Sequence, residues 1–186
     1  MKFPAFAFVC TLLVFGCQPA EDLPPAPPAD LRFQTSDPAR LYFNNIRSST
    51  YSIQEFPERY TKSYILKSWP DTAASPFLIP TLVDYWLYDQ AYIDLNWRSL
   101  PTSVDLPWTL ICSSETTTDT LVLNSKRWGA QYDFAQQLHT AITQSNHRFE
   151  LLLTDSTKLS VLEDSETRRL FRLSWRDYQA LTDKNK

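Results

Sequence analysis

The chain has 186 residues, a formal net charge of −3 and only two glycines, Gly16 and Gly129. A duplex-binding protein carries a basic stripe that this acidic chain lacks, so no nucleic-acid partner is expected. P-loops, dinucleotide folds and G-x-S-x-G nucleophile elbows need several glycines where the backbone meets its ligand or takes positive φ, and two cannot build them.

Met1 and Lys2 give a short positive start, and residues 3–15 are apolar except at Pro4 and Thr11. That run falls short of the about 20 apolar residues of a membrane-spanning helix. It has the length and flanks of a secretory signal, with Gly16 before the expected cut. The stretch Val14-Phe15-Gly16-Cys17 resembles the lipobox of bacterial lipoproteins, with Phe15 where a small or β-branched residue is usual. The resemblance implies that residues 1–16 are a cleaved signal peptide and that Cys17 is the lipidation site. The sulfur of Cys17 would receive a diacylglyceryl group, and its freed amino group a further acyl chain. One acyl chain holds a protein only marginally, each buried methylene adding ~0.8 kcal/mol, so several chains on one residue would make a stable anchor.

Residues 17–30 read as anchor and linker, holding five of the thirteen prolines and almost no core-forming residue. Such a stretch stays extended at about 3.1 Å per residue and holds a domain off the bilayer. Gln18 stands in place of the aspartate that retains many lipoproteins in the inner membrane, so the resemblance implies the outer membrane. Glu21 and Asp22 resemble a short acidic signal for the cell surface, but they suit a solvated linker better. The periplasmic face and the cell surface both remain open.

Residues 31–186 have the size of one domain, able to bury roughly two-thirds of its surface. Cys10 leaves with the signal and Cys17 is committed to lipid, so Cys112 has no disulfide partner. In "WTLICSS" it is expected to pack as a small apolar strand residue.

Ser36-Asp37-Pro38 marks a helix start, and a short helix is predicted over residues 38–44. "IRSSTYSI" favours extended structure, Pro57-Glu58 a turn, and "YTKSYILKS" a strand over 60–68. After the loop "PDTAASP", "FLIPTLVDYWL" (77–87) is apolar on both alternating sets, the pattern of a central strand. A turn at 88–90 leads to "AYIDLNW", where Ala91, Ile93, Leu95 and Trp97 share a face. "WTLICSS" and "DTLVLNS" form a second hairpin across "ETTTD". The clearest helix covers 130–144, with Phe134, Ala135, Leu138, Ala141 and Ile142 on one face. "RFELLL" and "TKLSVL" form a third hairpin. Ser165-Glu166 starts a short helix, "FRLSW" reads as a strand, and "RDYQALTDK" closes as a helix. The predicted class is α+β: mainly antiparallel hairpins forming a sheet, packed against one principal amphipathic helix with short flanking helices.

Candidate sites are sparse. His139 and His147 are eight residues apart with no cysteine near, which does not match metal-ligand spacing, so no metal or cofactor is expected. Asp84, Asp89 and Asp94 surround the suspected hairpin, and a facing Asp84–Asp94 pair would be the minimum for carboxylate hydrolysis. Arg168, Arg169, Arg172 and Arg176 interleave with Glu163, Asp164, Glu166 and Asp177, which reads as a neutralised surface. Aromatics make up 14% of the chain, with six tryptophans. Most are expected in the core, and Trp69 and Trp97, beside loops, are the candidate ligand contacts.

The reading favoured by elimination is a membrane-anchored envelope lipoprotein, a non-catalytic module that binds a partner protein or supports an assembly. The alternative is a lipoprotein that binds glycan or peptide in an aromatic groove. A hydrolase ranks third.

Overall fold

The computed structural model describes residues 30–101, 104–144, 147–153 and 156–182. The expected signal peptide, Cys17 and the proline-rich linker up to Ala29 lie outside them.

Helix α1 (Asp37–Tyr42) begins where the capping pattern predicts: Ser36 Oγ accepts the Ala39 N–H at 3.3 Å, and Pro38 sits in the first turn. The chain then winds through a π-helical turn (Phe43–Arg47) and a 3-10 turn (Ser48–Thr50) before strand β1 (Tyr51–Phe56). The "IRSS" half of the expected strand is therefore helical. The turn drives Phe43 between Tyr51 and Tyr64, at ring-centroid distances of 5.5 and 5.0 Å. Burying that ring outweighs a weak local preference for extended structure.

Strand β1 opens a four-stranded antiparallel sheet with β2 (Thr61–Leu66), β3 (Phe77–Tyr85) and β4 (Gln90–Arg98), in the order β1-β2-β3-β4. β3 is interior, as its two apolar faces predict. It tolerates Pro80 because β2 pairs it only at residues 82–85. Opposite Pro80, Leu95 turns its backbone outward to Gln131 and Lys126, so the proline nitrogen points to the side that β2 does not reach.

The remaining strands form a second antiparallel sheet: β5 (Trp108–Ser113), β6 (Thr118–Leu123), β7 (Arg148–Leu152) and β8 (Lys158–Val161), ordered β6-β5-β7-β8. All the predicted hairpins form, but they divide between two sheets. Leu110, Cys112, Leu121, Phe149 and Leu151 lie on one buried face of the second sheet. Helix α2 (Trp128–Thr143) packs against both β4 and β6, linking the sheets through a buried face that includes Phe134, Ala135, Leu138 and Ile142.

The C-terminal region corrects the prediction. "FRLSW" is not a strand, because Ser165–Leu181 is one continuous helix, α3. Asp164 caps it by accepting the Glu166 N–H at 3.1 Å. Phe171, Trp175 and Tyr178 (i, i+4, i+7) are all buried, so they fit a helical stripe better than the alternation Phe171-Leu173-Trp175 fits a strand. The Tyr178 hydroxyl lies 3.2 Å from the backbone carbonyls of both Arg32 and Ala91, fixing α3 to the segment ahead of α1 and to β4.

The scarcity of glycine shows in the turns. Tyr60 and Asp89, each closing a hairpin turn of the first sheet, adopt left-handed backbone at φ 54° and 51°. Both side chains are placed by this at one end of the sheet.

Candidate functional site

The expected tryptophan contacts are not the most accessible ones. Trp69 is buried and stacks on Phe77 at 5.5 Å with 11° between planes. Trp97 is half-buried, edge-on to Trp108 at 5.8 Å, and lines a shallow groove of about 450 Å³ with Trp108 and Lys126. Trp86 and Trp128 are each 40% exposed. Cys17 lies outside the described residues.

The aspartates do not form the facing pair considered from the sequence. Register sets Asp84 opposite Ala91 and Asp94 opposite Thr81. The turn is centred between Leu87 and Tyr88, and symmetry about Asp89 would have been needed to bring Asp84 and Asp94 together.

Asp84 instead lies at the floor of a groove of about 330 Å³, between α1 with its π turn and the turn end of the first sheet. Its carboxylate, 3% exposed, accepts from Arg40 Nε at 3.2–3.3 Å. Arg40 also donates to Asp89 Oδ1 at 3.0 Å and Thr35 Oγ1 at 2.7 Å. Burial pushes the Asp84 carboxyl above its ordinary value, even against the pull of the Arg40 guanidinium. The carboxylates of Asp84 and Asp89 hold Arg40 in place, an arrangement unlike the acid and base of a hydrolase.

Above that floor stand the cross-strand pair Lys62–Glu55, 2.8 Å apart, and Asn44 of the π turn. Trp86 lines the groove as well. Its backbone N–H donates to the Tyr60 carbonyl at 3.2 Å, and its ring meets the Tyr60 ring edge-on at 5.1 Å. Large apolar side chains face solvent on the elements that border the groove: Leu41 and Tyr42 on α1, Ile46 in the π turn and Ile53 on β1. Ile53 lies on the same face of β1 as Glu55. The outer edge of β1 carries no neighbouring strand among the described residues.

The other candidates have structural settings. Cys112 is buried, and burial pushes its thiol up to about 12, which disfavours the thiolate that nucleophilic chemistry needs. His139 stacks on Trp175 at 5.9 Å, and His147 Nδ1 lies 3.1 Å from the Gln144 carbonyl. Among the described residues, no group of three or more His, Cys, Asp or Glu side chains converges on a metal position, and no helix is long and apolar enough to cross a membrane. The expected neutralisation of the arginine cluster holds for Arg169, paired with Glu166 at 2.6 Å. It does not extend to Asp177, which turns inward to Arg47 at 2.7 Å.

Sequence reasoning missed Arg40 and Trp86 as parts of this groove. The available signal was Asp84 itself, since a carboxylate inside the doubly apolar "FLIPTLVDYWL" requires a charged partner. No protein-family model, curated protein or solved structure matches this chain.

Proposed function

We propose that this chain is a non-catalytic, lipid-anchored module of the bacterial outer membrane that binds a partner protein through the Trp86 groove and the apolar surface beside it. One observation carries the reading: Leu41, Tyr42, Ile46, Ile53 and Trp86 are exposed on elements that border a single groove. Large apolar side chains left exposed on the elements around a polar-lined groove mark it as a candidate protein-binding surface. The outer edge of β1, without a strand neighbour among the described residues, offers backbone donors and acceptors to an incoming strand, and the groove offers a pocket for one of its side chains. The internal pairing of Arg40 with Asp84 and of Lys62 with Glu55 leaves the groove near neutrality, which suits an uncharged or amphipathic segment.

Site-specific photocrosslinking of the full chain in cells tests this reading. A benzoylphenylalanine at Ile53 is expected to capture a discrete envelope protein, and the same probe at the exposed Val122 of β6 is not. Equal capture at both positions would overturn it. The anchor is tested separately by metabolic labelling with a fatty-acid analogue, which Cys17→Ala should abolish. Label retained on that variant would remove the lipoprotein assignment.

The exposed indole of Trp86 over a polar floor also favours a second reading, in which a sugar ring stacks on that face. Glycan fragments would then shift tryptophan fluorescence in the parent chain and not in Trp86→Phe.

A further inference from the structure

The charge on α3 is unevenly answered. Arg169, Arg172 and Arg176, spaced by three and four residues, share one face of the helix. They line a groove of about 480 Å³ with His139 and Thr143 of α2 and Gln179 of α3. Arg169 is held by Glu166, at 2.7 Å from Nε and 2.6 Å from Nη2. Arg172 and Arg176 are exposed and have no carboxylate within 4 Å among the described residues, in a chain where acids outnumber bases. Asp177, their neighbour in sequence, is committed to Arg47 and to the Tyr51 hydroxyl on the buried side of α3. Among the described residues, the groove therefore carries positive charge that no carboxylate answers, on a protein of net negative charge.

We propose that this cleft between α2 and α3 binds a phosphate group, gripped by Arg172 and Arg176 with His139 donating from the opposite wall. A guanidinium presents planar paired donors that match phosphate oxygens bidentately, and two of them supply the charge of a phosphate monoester. Burial and the nearby Arg172 charge lower the His139 pKa, so near neutral pH its imidazole is uncharged and keeps one N–H to donate. Stacking on Trp175 fixes the ring at the wall of the cleft. The groove is wider than a carboxylate needs and admits a phosphate with a substituent. A lipid headgroup and a free phosphate share this chemistry.

The chain has two histidines, so imidazole NMR signals of the full mature lipoprotein in zwitterionic micelles report the site directly. Inorganic phosphate, titrated at constant ionic strength against chloride, is expected to shift the His139 signals to saturation and leave His147 unmoved. The double variant Arg172→Gln/Arg176→Gln should weaken the response at least tenfold. Glu166→Gln, which releases Arg169 into the groove, should tighten it. An unchanged thermal midpoint of the double variant, whose side chains are exposed, keeps the comparison free of unfolding. A chloride response equal to that of phosphate, or undiminished binding by the double variant, would overturn the proposal. A lower midpoint for phosphatidic acid, a lipid phosphate monoester, than for inorganic phosphate assigns the site to a lipid headgroup, and the reverse order assigns it to a free phosphate.

Discussion

Gln131 of α2 completes the hydrogen bonding of Leu95 on β4: its Oε1 accepts the Leu95 N–H at 2.8 Å, while its Nε2 donates to the Lys126 carbonyl at 3.0 Å. A helix side chain thus stands where another strand would otherwise pair, and it protects an edge that would invite aggregation. Gln131→Leu keeps the bulk and removes both bonds, leaving a buried backbone donor unpaired. We expect a loss of about 1–3 kcal/mol in urea unfolding. A change within error would mean that water replaces the amide there.

Asp177 is the common acceptor of Arg47 and Tyr51, each at 2.7 Å, with its side chain 4% exposed. Asp177→Ala leaves a partly buried guanidinium without its carboxylate and should cost about 3–5 kcal/mol. Asp177→Asn keeps an acceptor for both donors and should cost clearly less. Equal losses in chemical denaturation would show that charge, and not hydrogen bonding, dominates the triad.

The buried phenols predict an alkaline limit. Burial pushes Tyr51 and Tyr178 strongly upward and Tyr64 and Tyr92 up to about 12. The folded state therefore keeps these protons where the unfolded chain releases them. Their stabilising contribution is complete below the ordinary tyrosine value of about 10 and is lost as pH rises above it. Unfolding free energy should fall steeply above about pH 10, with tyrosinate absorbance appearing together with loss of structure. Full tyrosinate absorbance in a chain that keeps its far-ultraviolet dichroism would contradict this.

Asp84 titrates with the opposite consequence to an ordinary salt-bridged carboxylate. Because burial raises its folded-state value, the contribution is present below about pH 4 and is lost as pH rises through that raised value. Asp84→Asn does not titrate. Its stability relative to the parent chain should therefore improve between pH 4 and pH 7, whatever the offset from the altered Arg40 contact. Urea titrations of both chains at the two pH values check the sign, and a relative decline would place the Asp84 value below normal.

Phe134, 2% exposed on the buried face of α2, should cost about 3–5 kcal/mol on truncation to alanine. Gln136 is exposed on the same helix, and Gln136→Ala should change stability by less than about 0.5 kcal/mol. The reverse ranking in urea would mean that α2 presents a different face to the sheets.

The sequence was most legible where the pattern is local. Helix α2 follows from the spacing of Phe134, Leu138 and Ile142, and the hairpins follow from alternation between turn residues. Which hairpins share a sheet depends on contacts between distant segments, such as β5 with β7 across the whole of α2. In α3, Phe171, Leu173 and Trp175 satisfy a strand period, and only the core beneath shows that Leu170, Ser174, Tyr178 and Leu181 complete a helical stripe. The candidate groove was less legible still. Arg40 and Asp84 are 44 residues apart, and their pairing depends on the left-handed turn at Asp89 and on the position of α1.

The position of α3 has a consequence for how the chain is made. Strands β1 to β4 form an uninterrupted meander of neighbouring hairpins, which local contacts can assemble early. The face carrying Tyr51 and Ala91, however, is sealed by Asp177 and Tyr178, which a ribosome adds after all eight strands. Until then that face is covered only where Phe43 of the π turn meets Tyr51 and Tyr64, and the part beneath α3 stays open. A nascent chain would therefore close this face only once α3 had followed all eight strands out of the ribosome.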